Sequence, residues 1–174
     1  MKKSAGILLY RVNNKNIEVL LVHPGGPFWK NKDEGAWSIP KGEFNEEESG
    51  LDTAIREFEE ELGTKPSGEF IELHPVKQLA GKVVYAWALK GDLDTGTIKS
   101  NSVSIEWPPR SGKKISFPEI DKAQWFTATA AKEKINPAQL AFLKDLQNKL
   151  RRGQLAAPPG RTGKAGDSSR VEHE

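Results

Sequence analysis

Apolar and polar positions alternate between two periods along this chain. Residues 5–12 and 17–23 are rich in Ile, Leu and Val and are separated by Asn13-Asn14-Lys15-Asn16, a pattern that predicts a β-hairpin. Residues 24–36 hold Pro24, Gly25, Gly26, Pro27 and Gly35 and read as a loop, and Trp37-Ser38-Ile39 reads as a short strand stopped by Pro40. The period then changes. Leu51, Ala54, Ile55, Phe58 and Leu62 recur at helical spacing, with Ser49 and Asp52 at capping spacing and Gly63 just past the end, so a helix is expected from Ser49 to Leu62. Val83 to Trp87, inside an apolar stretch from Gln78 to Leu89, predicts a strand, and Gln124-Trp125-Phe126 a shorter one; Glu106 to Gly112 reads as loop. Asn136-Pro137 starts a last helix, with Gln139 three residues after the cap and Leu140, Leu143, Leu146 and Leu150 on one face.

From Gly153 onward there is no periodicity, only Gly, Pro, Ala, Ser and charge. The expected organisation is therefore one domain over residues 1–152 and a disordered tail over 153–174. Strands, one strong helix, more strands and a terminal helix indicate an α/β or α+β fold, with a mixed sheet packed between helices.

Composition narrows the function classes. With 36% hydrophobic and 29% charged residues the chain has a globular profile, and no apolar run reaches the ~20 residues of a membrane span. The first apolar stretch is too short for a secretory signal, so a cytoplasmic protein is expected. Without cysteine, disulfides, thiolate metal sites and a cysteine nucleophile are excluded. Of 26 basic and 24 acidic side chains, five and three lie in residues 151–174, which leaves 21 of each in the body. A neutral body argues against a nucleic-acid surface built on bulk charge.

One segment departs from that neutrality. Between Glu43 and Glu61 there are nine acids and a single base, Arg56. At about 100° per residue, Glu57, Glu60 and Glu61 share an arc of about 100° that borders the apolar face. Like charges at these spacings disfavour a helix, and the dipole disfavours anions near its C-terminus. A glutamate-rich helix is most often a solvated surface, but two local rules broken together are what a functional site produces. A hard divalent cation relieves both.

The spacing identifies the pattern further. Gly42, five residues, Glu48, seven residues, then Arg56-Glu57-Phe58-Glu59-Glu60-Glu61-Leu62-Gly63 resembles the Nudix box; its last, bulky apolar position holds Thr64 instead. The resemblance implies an α/β/α sandwich with a mixed sheet and a magnesium-dependent hydrolase, manganese being an alternative ion. It implies that Glu57, Glu60, Glu61 and the Gly42 carbonyl hold the metal and that Glu48 pairs with Arg56. The general base varies in the family, so Glu57, Glu119 and Glu106 all stand as candidates. Pro40-Lys41-Gly42 is similar to the members that hydrolyse diadenosine polyphosphates, with Lys41 as a point charge on phosphate. The implied reaction is attack of water on phosphorus in a nucleoside polyphosphate, a small-molecule substrate. Two rival readings are a Nudix-fold sensor that binds a nucleotide without cleaving it, and an enzyme that trims RNA 5′ ends.

Other residues are weaker candidates. Trp29, then Phe28, could stack on a base, because their loop also carries Lys30 and Lys32. His23 reads as a structural histidine, and Arg110, Lys113 and Lys114 as a loop cluster that is either solvated or turned to phosphate.

Overall fold

The computed structural model describes residues 1–156. Its element order is β1 (Lys3–Asn13), β2 (Asn16–Pro24), β3 (Lys41–Phe44), α1 (Gly50–Leu62), β4 (Phe70–Glu72), β5 (Val76–Lys77), β6 (Val83–Lys90), β7 (Ser102–Glu106), β8 (Lys114–Pro118), β9 (Ile120–Thr127), α2 (Ala128–Lys134) and α3 (Leu140–Ala156). Among the described residues, seven strands form one mixed sheet and β7–β8 form a separate two-stranded hairpin.

The expected first hairpin is present. Asn13 pairs with Asn16, and Asn14 and Lys15 between them have φ of 48° and 67°. Two left-handed residues in a two-residue turn match the right-handed twist of the strands, and asparagine tolerates that region.

β1 organises the sheet. One edge runs parallel to β6 from Lys3 to Tyr10. The other edge is divided, with Lys3–Gly6 paired to β3 and Tyr10–Asn13 paired to β2, whose Glu18–Pro24 stretch pairs with β9 on its far side. Side chains of β1 alternate between two buried layers. Ala5, Ile7 and Leu9 join Ala54, Phe58 and Leu62 of α1; Leu8 and Tyr10 join Phe142, Leu143 and Leu146 of α3. Both faces are covered, which is why the strand reads as an uninterrupted apolar run. The arrangement is an α/β/α sandwich.

Three expectations shift. Trp37-Ser38-Ile39 is not a strand; it makes isolated bridges from Ser38 to Val22 and from Trp37 to Ile135, and the ladder begins only at Lys41. Its apolar character serves the core, where Trp37 and Ile39 are buried against Phe126 and α3. Pro40 offers no N–H, and its carbonyl accepts from Ile7 at 3.2 Å. The last helix continues through Gly153 to Ala156, past the expected boundary, because one glycine costs a helix only ~1 kcal/mol. The remainder of the expected tail, 157–174, lies outside the described residues. Third, β4, β5, α2 and the β7–β8 hairpin carry no strong period and are not anticipated. No described helix is long and apolar enough to cross a membrane.

Candidate active site

α1 is bounded as its sequence requires. The Ser49 hydroxyl accepts from the Asp52 N–H at 3.3 Å, and Gly63, at φ 78°, donates to the Glu59 carbonyl at 2.7 Å. The last two turns carry the acids. Glu57 packs directly on β3: a Cβ at Gly42 would overlap its carboxyl carbon and both oxygens, so only glycine fits there. Glu61 is 3% exposed. Its carboxylate lies beside the Lys41 backbone, while Oε2 has no hydrogen-bond partner among the described residues. Glu60 stands at the rim, 43% exposed.

The charges in this corner are strongly coupled. Burial, then Glu119 and Glu57, push the Glu61 carboxyl up to about 9. Burial and Glu60 raise Glu57, with Arg56 opposing them. Burial, and Lys82 next, lower the Lys41 ammonium, which Glu61, Glu43 and Glu119 partly restore. Arg56 reaches Glu48 at 3.3 Å, Glu57 at 3.5 Å and Glu60 at 3.8 Å. Its guanidinium thus joins the loop before α1 to the acids on α1.

Glu119 follows β8 and enters the same corner. Its carbonyl accepts from Gly25 at 2.9 Å and its N–H donates to Asn101 at 2.8 Å, and Asn101 in turn donates to the Glu60 carbonyl at 3.3 Å. A cavity of about 250 Å³ opens here, with Lys41, Glu61 and Glu119 on one side and Trp29, Gln78 and Gln139 among its other walls.

The expected site residues are therefore divided by the fold. Lys41, Glu61, Glu119 and Trp29 share the cavity, and Arg56 draws Glu57 and Glu60 of α1 and Glu48 of the preceding loop into one ion-pair group. Phe28 does not join them. It is 56% exposed, with its ring edge-on to Trp29 at 5.0 Å and under the Lys32 ammonium at 3.5 Å. Glu106 is at the far end of β7, where its carboxylate accepts from Gly112 at 3.2 Å and closes the hairpin loop that also holds Arg110, Lys113 and Lys114.

Gln139, three residues after the Asn136 cap, serves the site rather than the cap. Its side chain accepts from the Ile39 N–H at 3.1 Å and donates to the Ser38 hydroxyl at 3.2 Å, while the Asn136 N–H donates to Trp37. Gln78, with a buried Nε2 lacking a partner among the described residues, is a second wall residue with no sequence signal.

A divalent ion fits the donor set. All candidate donors are oxygens, two of the acids are desolvated, Glu61 holds an orphaned oxygen, and Gly42 leaves its backbone open to Glu57. No three acidic or histidine side chains among the described residues form a ready-made cage, since Glu57 and Glu60 turn toward Arg56.

Comparison with known proteins agrees with this geometry. A family model described as the NUDIX domain matches residues 2–146. A mutT/nudix family protein from Listeria innocua has a similar structure, with TM-score 0.60, 18% identity and coverage of 90% of this chain and 98% of that one. An Ap4A hydrolase from C. elegans gives 0.59, 21%, 87% and 99%, and the NUDIX domain of Shewanella oneidensis NrtR, complexed with ADP ribose, gives 0.59, 16%, 85% and 87%. No curated protein sequence is significantly similar. With five-sixths of its length matched, the chain belongs to the NUDIX family, and so to the hydrolases of phosphoanhydride bonds.

Proposed function

We propose that this protein is a magnesium-dependent pyrophosphohydrolase of nucleoside polyphosphates, dinucleoside polyphosphates or nucleoside triphosphates, in which water attacks phosphorus. The observation that carries the reading is the meeting of Glu57, Glu61, Glu119 and Lys41 at the edge of a cavity walled by Trp29. Phosphoryl transfer needs charge neutralisation and alignment more than covalent help. Glu57, Glu60, Glu61 and the Gly42 carbonyl would hold the cation, which when bound neutralises phosphate charge and acidifies a water. Glu48 fixes Arg56, and Arg56 holds Glu57 and Glu60 in place. Lys41 supplies a point charge for a phosphate oxygen. Trp29 offers a stacking face for a base. Glu119 is the favoured proton acceptor, because it borders the cavity without belonging to the helix that binds metal. A carboxylate outside the set that would hold the cation would keep its basicity for proton removal.

A nucleotide panel tests this, run with Mg²⁺ and with Mn²⁺, with products identified by mass and wild type compared with Glu60→Gln. Cleavage of one anhydride bond into two phosphorylated products, reduced in the variant, is expected. Absence of turnover by both proteins across the panel overturns it in favour of a binding module.

A further inference from the structure

Two glutamines wall the same cavity, and the fold uses only one of them. Gln139 has both ends of its amide engaged, on the Ile39 N–H and the Ser38 hydroxyl. Gln78 presents a buried Nε2 that meets no partner among the described residues. A carboxamide turned the other way would present an equally unpartnered oxygen there, so the lack belongs to the position. The cavity it faces carries two carboxylates, Glu61 and Glu119, against one ammonium, Lys41, which favours the NH₂ end inward.

The backbone sets this amide in place. Gln78 follows β5 in an extended conformation, φ −88° and ψ 168°, two residues after Val76 of the core layer beneath α3. Alternation along an extended chain sends both side chains to that layer. The Gln78 N–H donates to the Lys82 carbonyl at 2.7 Å, across a turn in which Ala80 and Gly81 have φ of 67° and 78°. Lys82 in turn reaches Glu43 on β3 at 3.3 Å. Leu79, next along the turn, is 95% exposed. The turn thus puts its apolar side chain in solvent and its polar one in the wall, the reverse of ordinary sorting. Such a local inversion is expected where a ligand completes the site.

The strand order fixes which end of the cavity Gln78 occupies. β5 pairs with β6 and β6 with one edge of β1, whereas β3 pairs with the other edge. Lys41, on β3, therefore stands between Gln78 and the β2–β9 side, from which Trp29 and Glu119 enter. We propose that Gln78 is a specificity-determining residue of this site: its inward NH₂ donates to an acceptor atom of the substrate on the β5 side of the phosphate held by Lys41. The proposal rests on the reading of this cavity as a nucleoside polyphosphate site. Two parts of such a substrate offer that acceptor, an oxygen of the phosphate chain or a polar atom of a second nucleoside.

The test uses the full chain with Mg²⁺ and two probes that resist cleavage, diadenosine tetraphosphate and ATP with methylene groups in place of the bridging anhydride oxygens. Kd is measured by calorimetry, and Tm is measured without nucleotide. Gln78→Met keeps the length of the side chain and removes the amide. It is expected to raise Kd roughly 10-fold, by loss of one hydrogen bond. It should also raise Tm by about 2–4 °C, because an unpartnered polar group leaves the wall. Gln78→Glu keeps the shape and loses the donor, should bind more weakly still, and supplies a second variant if Gln78→Met does not fold. A loss confined to the two-ended probe assigns the acceptor to the second nucleoside; an equal loss with both assigns it to the phosphate chain. Binding like that of wild type in either variant overturns the donation by Gln78. A lowered Tm with unchanged Kd in Gln78→Met overturns it in favour of a brace for the turn. A wild type that binds neither probe overturns the proposal through its premise, and that failure is distinct from a wild type that binds and variants that bind equally.

Discussion

Glu61 and Gln139 face one cavity from opposite layers of the sandwich, and the fold treats them in opposite ways. Both are almost completely buried. Gln139, in the turn just before α3, has an acceptor filled by the Ile39 N–H and a donor used on the Ser38 hydroxyl. Glu61, at the end of α1, has one oxygen without a partner and a carboxyl pushed up to about 9. A buried polar group is tolerated once hydrogen-bonded and is costly otherwise. The α3 layer is thus finished as core, and its polar side chain ties Ile39 and Ser38 in place ahead of β3. The α1 layer is left electrostatically incomplete where a cation and a polyphosphate would complete it.

The sharpest way to break this comparison is to remove charge from the incomplete side. Glu57→Gln keeps the shape that packs against Gly42 and removes the carboxylate charge. It is expected to lower kcat at least ~100-fold while the circular dichroism spectrum stays that of wild type. Near-normal turnover would mean that the chemistry does not pass through α1.

On the completed side the expected result is a loss of stability instead. Gln139→Ala leaves the buried Ile39 N–H without its acceptor and removes the brace on Ser38. A cost of about 2 kcal/mol follows, or about 4–8 °C in Tm, read by calorimetry. The kcat of the folded fraction should change little, because Gln139 touches only the cavity wall.

The same contrast explains which parts were legible from residues alone. α1 was, with both caps, because its signals lie within one another's reach along the chain: Ser49 with Asp52, Gly63 with Glu59, and the acids at three- and four-residue spacing. The first hairpin was legible for the same reason. The cavity was not. Ile39 meets Gln139 across 100 positions and His23 meets Asp121 across 98, and no local pattern announces either pair. Trp37-Ser38-Ile39 misled because burial and strand pairing leave the same apolar trace over three residues. Glu106 and Glu119 were equivalent as glutamates downstream of the box. Only the β7–β8 hairpin, which carries one outward and returns the other to the base of the fold, separates them.

The finest test lies in the pH dependence of the incomplete side, measured with the cation chelated. The Glu61 carboxyl is raised in the folded protein, so between pH ~4.5 and ~9 the folded chain holds a proton that the unfolded chain has released. Stability must then fall as pH rises through that window, and level off beyond it. Glu61→Gln removes the ionisation but introduces an NH₂ group with no partner of its own, which offsets much of the gain. A net increase of about 1 kcal/mol, or about 2–4 °C in Tm, is expected at pH 8 in EDTA, with the two proteins level at pH 5. Added Mg²⁺ should reverse the order at pH 8, because a ligand bound only by the folded wild type stabilises it by mass action and the amide binds it poorly. A wild type that remains the less stable of the two in saturating Mg²⁺ would show that Glu61 is not a ligand, and would leave its orphaned oxygen as a cost with no compensating use.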